Sequence, residues 1–277
     1  MRSGIGIAVA CYQSTAELQS TMSKRKAPEQ SGLVFQSSHP LVKHKINQMR
    51  KASAGPKYLK QLMHEVSTLL CYEAVADLAL APCPVRTKQG EADDGLKIAD
   101  RIGVVPVLRG GLGMVEAMSE MVSNAQVWHL GIYRDKTSLL PVEYYNKLPK
   151  QVTVSTIFVL DPMPISGATA VAAVDILKAW GAKLPAGKKL CIKFICIGAS
   201  EKAVELFTEA HPDVPFHVGH VDYSKDDKGK PVAPKLPSIG DIGDRMFGTA
   251  EDDGTPLMYG ARAEDTSWRG GGADPRQ

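Results

Sequence analysis

The apolar positions along the chain change period several times, and each change predicts an element. Residues 41–50 and 58–80 carry apolar side chains at helical spacing, with Leu59, Leu62, Met63, Val66, Leu69, Leu70 and Tyr72 on one face. Pro82 and Pro84 break that pattern, and residues 86–100 read as a polar connection or small hairpin. Beyond it, short β-favouring runs alternate with helical patterns. Strand 103–108 leads through the turn at Arg109 to Gly113 into a helix ending near Val122. Strand 127–133 is followed by a polar, Pro- and Tyr-containing segment up to Pro149. Strand 152–160 leads through a loop into a helix ending near Trp180, and strand 190–197, helix 201–210 and strand 214–221 complete the series. This order predicts an α/β fold, a mostly parallel sheet flanked by helices on both faces.

The two ends behave differently. Residues 1–31 have no sustained apolar period and hold a basic knot at Lys24, Arg25 and Lys26. Glu17 and Glu29 weaken a reading as an organelle-targeting leader. We expect a disordered extension over 1–31, a single domain over 32–249 and a flexible tail over 250–277, where Asp252, Asp253 and the Gly270–Gly272 run cluster. The 277 residues are 44% hydrophobic and 23% charged, enough for one sizeable core. A net charge of +3 argues for neither a nucleic acid nor a membrane partner, and no stretch approaches the roughly 20 apolar residues of a membrane span. Cys71, Cys191 and Cys196 sit inside apolar patterns and read as buried thiols; without a CxxC pair the chain suits a reducing, intracellular setting.

Three loops carry the chemistry. In residues 156–170 an apolar run ends at Asp161, a small-residue loop follows, and a helix begins. Helix-start amides point at an anion, and Ser166, Gly167, Ala168 and Thr169 let a phosphate come close. An ordinary turn capped by a threonine fits the same residues. Neither a Walker loop nor the dinucleotide glycine spacing is present. The second loop, Leu108-Arg109-Gly110-Gly111-Leu112-Gly113-Met114, sets a guanidinium beside flexible glycines, suited to a pyrophosphate or simply to a solvated turn. The third, Pro237 to Thr249, contains Gly240-Asp241-Ile242-Gly243-Asp244 and lacks EF-hand spacing. In open α/β sheets ligands sit at the carboxyl ends of strands where strand order reverses. Two unusual loops leaving strand ends, at Arg109 and Asp161, therefore predict one site.

Together these residues resemble the uracil phosphoribosyltransferases over about residues 35–249. His39-Pro40-Leu41-Val42-Lys43-His44-Lys45, Tyr72-Glu73-Ala74, the Arg109 loop, Tyr133-Arg134, Pro141 to Pro149, Asp161-Pro162-Met163, His211-Pro212-Asp213-Val214 and Gly240-Asp241 follow the family's landmarks in order. The resemblance implies a type I phosphoribosyltransferase fold with a flexible arm at 134–149 and a small base-binding hood. It implies transfer of phosphoribose from 5-phospho-α-D-ribose 1-diphosphate (PRPP) to uracil, giving UMP and diphosphate, with Mg²⁺ carried by PRPP rather than by protein ligands. Arg109, Arg134 and Asp161 are then the expected catalytic residues. PRPP would touch these three together with Pro162, Met163, Pro164, Ile165, Ser166, Gly167, Ala168, Thr169 and Asp241. Uracil would be read by Lys235, Gly240, Asp241 and Ile242. A homodimer or homotetramer, a GTP effector and a cytoplasmic location are further implications.

The chain also departs from the family's pattern. Pro164 replaces an aliphatic residue, and Ala168 a glycine, which would be strained if that position needs a positive φ. Lys60 stands where an arginine is usual. In the base loop the usual tyrosine is missing, Lys235 replaces an isoleucine, and Ile242 replaces a small alanine and is expected to crowd the base. These changes keep two alternatives in view: a non-catalytic nucleotide-binding homologue, or a transferase for a different pyrimidine.

Overall fold

The computed structural model describes residues 33–249 apart from 52, 93, 136–139 and 224–238. The expectations for 1–31 and 250–277, and the one for Lys235, lie outside the described residues, as does the Arg134 side chain. Elements run in the order β1 (Val34–Gln36), α1 (Pro40–Met49), α2 (Pro56–Ala74), β2 (Leu80–Pro82), β3 (Val85–Thr87), β4 (Gly90–Ala92), β5 (Leu96–Ile98), β6 (Ile102–Leu108), α3 (Leu112–Met121), β7 (Gln126–Val127) and β8 (Leu130–Arg134). They continue with β9 (Pro141–Asn146), β10 (Thr156–Leu160), α4 (Ala168–Gly181), β11 (Cys191–Ser200), α5 (Glu201–Ala210), β12 (Phe216–Asp222) and α6 (Ile242–Phe247).

The main sheet has the order β1-β12-β11-β10-β6-β8-β9, with β7 also pairing β6. All pairings in it are parallel except β8 with β9. β10 is wholly buried and β6 nearly so, because helices cover both faces. Val104, Phe158, Leu160, Ile195 and Ile197 pack with α1, α2, α3 and α6 on one face. Val105, Val107, Ile157, Val159, Phe194 and Cys196 pack with α4 and α5 on the other. The two-residue period of each strand thus divides a continuous apolar run between two cores. No helix among the described residues is long and apolar enough to cross a membrane.

Several local expectations need correcting. The helical pattern expected over 58–80 ends at Ala74, and Tyr72 is exposed rather than on the buried face. The stop has a tertiary cause. Lys193, on β11, reaches across to donate to the Ala74 carbonyl at 2.9 Å and pairs with Asp77. A buried ammonium there satisfies a helix-end carbonyl and complements the helix dipole. Cys191, expected to be buried, is exposed because it opens β11 at the sheet margin. The small hairpin expected over 86–100 is present as β3 paired antiparallel with β4, and β5 pairs antiparallel with β2, which precedes that segment. The segment after β8 contains strand β9, which closes one edge of the sheet.

Candidate active site

Strand order reverses between β6 and β10. From β6 the chain builds outward to β8 and β9, then returns to the other side of β6 to lay down β10, β11 and β12. The loops leaving β6 and β10 therefore diverge from adjacent strand ends, held in register with Leu160 opposite Pro106. Between them lies a cleft of about 300 Å³, lined by Arg109, Gly110, Asp161, Met163 to Gly167, Thr169 and Gly240 to Gly243. Arg109 and Asp161 share this one cleft, as two unusual loops leaving neighbouring strand ends imply.

Each wall is set by backbone packing. The Leu108–Arg109 peptide is cis. Gly111 follows with φ −59°, an angle any residue adopts, but a side chain there has no room: its Cβ would lie 2.3 Å from the Leu160 carbonyl oxygen and 2.7 Å from Val107 backbone atoms. The absence of a side chain lets the turn lie directly on the ends of β6 and β10. Beyond β10, the amides of Ile197 and Gly198 donate to the Pro162 carbonyl at 3.1 Å, and the Ser200 amide donates to the Pro164 carbonyl at 3.2 Å. The loop's carbonyls are thereby turned toward β11.

Gly167 caps α4 with φ +79°, so the left-handed position falls on this glycine and not on Ala168, the first helical residue. The strain anticipated at Ala168 does not arise. Helix-start amides lack intrahelical acceptors, and here they border the cleft at Thr169 and Ala170.

Asp161 is partly exposed at the end of β10. Its carboxylate accepts from the Met163 amide at 3.4 Å, and burial pushes its pKa up to about 6, the Met163 contact only partly offsetting this. The third wall was expected as a tight loop and instead begins helix α6. Asp241 caps it, its carboxylate accepting from the Asp244 amide at 2.9 Å. Gly240, with φ +74°, makes the turn before it. Ile242 lines the cleft but is only 7% exposed, packed into the core with Ile239 and Met246. It lies next to Gly110, whose Cβ would come 3.2 Å from it. Lys60, in the arginine's place, sits 5.3 Å from the centroid of the Phe247 ring at the other end of α6.

Two residues went unassigned from sequence. Asp244 pairs with Arg109, Oδ1 to Nη2 at 2.6 Å. A hydrogen bond from Thr249, and next the Arg109 guanidinium, hold the Asp244 carboxyl below its ordinary pKa. Arg245 donates to four carbonyls, those of Met49, Lys51, Ala54 and Ile239, and so staples α6 to the α1–α2 connection. Neither role has a local signal, because every partner except Ile239 and Thr249 is distant in the chain.

The family model and the curated relatives that match this chain name one family. A family model described as uracil phosphoribosyltransferase matches residues 36–249. A protein of Roseiflexus castenholzii named uracil phosphoribosyltransferase is 47% identical over 216 residues, covering 78% of this chain and 98% of that relative. One of the same name from Bacillus caldolyticus is 39% identical over 218 residues, covering 79% and 99%. A solved structure from Aquifex aeolicus superposes with a TM-score of 0.68 at 31% identity, over 79% of this chain and 99% of that one.

Proposed function

The chain belongs to the uracil phosphoribosyltransferase family, and from that membership we propose how its residues share the work. The enzyme is a pentosyltransferase that joins uracil to the phosphoribose of PRPP, releasing diphosphate and forming UMP. No observation favours the non-catalytic homologue or a transferase for another pyrimidine. The observation that carries the residue assignment is the shared cleft, where the Arg109 turn, the Asp161 turn and the start of α6 meet.

In our assignment the diphosphate of PRPP lies along Arg109, Gly110 and Gly111, and Arg134, at the end of β8, is assigned as a second cation for it. Asp161 accepts from the ribose hydroxyls. Pro162 to Thr169 cradle the 5′-phosphate, whose charge suits the amides at the start of α4. Gly240, Asp241 and Ile242 border the base, and Lys235 is kept as an assigned contact from the resemblance alone. As the bond from C1 to the diphosphate oxygen breaks, positive character grows on the ribose ring and negative charge on the leaving group. The N1–C1 bond then forms, and the N1 proton of uracil passes to the departing diphosphate or to water. The protein's contribution is alignment and charge stabilisation, since no protein nucleophile is needed. Keeping water from the ring protects the reactive centre from hydrolysis.

Magnesium fits this site as an ion carried by the substrate. Among the described residues no group of three or more His, Cys, Asp or Glu side chains could hold a metal. Of the two carboxylates lining the cleft, Asp241 caps α6 and Asp161 lies beside the expected ribose position, so the ion would be held chiefly by the oxygens of PRPP and water. Bound in that way the ion would neutralise charge on the departing diphosphate.

The test is turnover. Purified protein with uracil, PRPP and magnesium is expected to form UMP and diphosphate. Arg109→Ala should lose about a hundredfold or more in kcat/KM with its circular dichroism unchanged, because a charge-assisted contact to the leaving group is removed. Near-normal turnover by that variant would overturn the assignment.

A further inference from the structure

Arg109 is about half exposed, yet its guanidinium is not free to sweep. Nη2 donates to Asp244 Oδ1 at 2.6 Å and Nη1 donates to the Thr249 hydroxyl at 3.2 Å. The Thr249 hydroxyl itself donates to Asp244 Oδ1 at 2.6 Å, closing a ring of three contacts. Asp244 is fixed from below as well, since its amide donates to the Asp241 carboxylate at 2.9 Å. The Gly248 and Thr249 amides both return to the Asp244 carbonyl, at 2.8 and 3.2 Å, which sets Thr249 beside its side chain.

The three loops also touch sterically here. A Cβ on Gly110 would meet Pro162 at 2.9 Å and Ile242 at 3.2 Å. An added Cβ on Gly243 would come within 3.1 Å of Asp241 Oδ1 but only to ordinary contact distance of Arg109, 3.7 Å from Nη2. The guanidinium is therefore held against α6 by polar contacts rather than wedged by packing.

We propose that Asp244, with Thr249 as its support, is a positioning residue that presets the Arg109 guanidinium for the diphosphate end of PRPP. The inference rests on the assignment of Arg109 made above. A guanidinium carries five N–H donors in a rigid fork. The clasp engages one on each terminal nitrogen and leaves the rest for an anion in the cleft. An unclasped arginine surrenders its rotamer freedom when substrate arrives; a clasped one has surrendered it during folding, and binding is tighter by that difference. Because the Asp244 amide is bonded to Asp241, the clasp also ties the diphosphate-facing wall to the base-facing wall.

The experiment is a double-mutant cycle on PRPP affinity, with magnesium present, read by calorimetry and by steady-state kinetics. Asp244→Ala should raise Kd and KM for PRPP about tenfold while kcat stays within about threefold, a split expected when binding preorganisation is lost. Asp244→Asn, whose oxygen still accepts, should recover part of the loss. In an Arg109→Ala background Asp244→Ala should have no further effect, within about twofold, because its partner is gone. Thr249→Val, which leaves the start of α6 intact, should shift PRPP affinity in the same direction by less. A loss of equal size with and without Arg109 would show that Asp244 serves only helix α6. Unchanged or tighter PRPP binding in Asp244→Ala would show that it merely competes with the diphosphate. Either result overturns the proposal. Normal PRPP affinity in Arg109→Ala alone would instead sink the parent assignment, and weakened binding there with none in Asp244→Ala would sink only this one.

Discussion

Asp161→Asn should stabilise the ligand-free protein while weakening its hold on PRPP. The carboxyl is pushed from an ordinary 3.8 up to about 6, with burial as the main cause and one long contact to the Met163 amide opposing it. A gap of about two pKa units corresponds to about 3 kcal/mol at roughly 1.4 kcal/mol per unit. The residue keeps some solvent contact through the cleft, so about 1–3 kcal/mol is the expected gain. Between pH 3.8 and 6 the native state holds this proton and the unfolded state does not. Asp161 therefore makes stability fall as pH rises through that window, and its cost is fully present above pH 6. Asparagine has the same shape, keeps an acceptor for the Met163 amide and never ionises. The stability difference between variant and parent should thus be near zero close to pH 4 and grow to its full value by pH 7. For a domain of this size that is roughly 3–10 °C in Tm. Urea unfolding at pH 4.5, 5.5, 6.5 and 8 measures it, and PRPP titration of the same samples measures the functional loss. A variant no more stable than the parent at pH 8, or a difference that does not change with pH, would refute the reasoning.

Two other substitutions probe how the site is held. Gly111→Ala should cost about 1–3 kcal/mol and at least about a hundredfold in kcat, because the new methyl meets backbone atoms of Leu160 and Val107 and must push the Arg109 turn off the strand ends; wild-type kcat in a folded variant would contradict that. Arg245→Met should cost about 2 kcal/mol in chemical denaturation and raise KM for uracil more than KM for PRPP, since the carbonyls of Met49, Lys51, Ala54 and Ile239 lose their shared donor and the start of α6 comes loose; an unchanged KM for uracil would count against the staple.

Strands β6, β10, β11 and β12 were legible because strands covered on both faces read as apolar runs, and the helices between them show helical spacing. Ends were less legible where a distant group sets them. The stop of α2 at Ala74 depends on Lys193, 119 residues later in the chain. β1 has only three residues and stands by pairing with β12, Val34 opposite Phe216. Among the described residues β9 pairs with β8 alone, and its mostly exposed side chains give no buried alternation to read. Helix α6 is six residues long and lies between two glycine turns, at Gly240 and Gly248, so its local signal was that of a loop.

The same division runs through the site. Asp161 and Arg109 announced themselves because an acid or a guanidinium placed where an apolar run stops is a local pattern, and the small residues beside each mark a close approach of backbone to anion. That both loops open on one cleft follows from strand order, in which β10 lies against β6 although residues of α3, β7, β8 and β9 separate them in the chain. The clasp between Arg109 and Asp244 spans 135 positions. Composition and periodicity report which face of a segment its surroundings must bury, a property each short stretch carries by itself. Which charged group meets which depends on how the sheet is wound and how the helices settle on it, and no local stretch carries that.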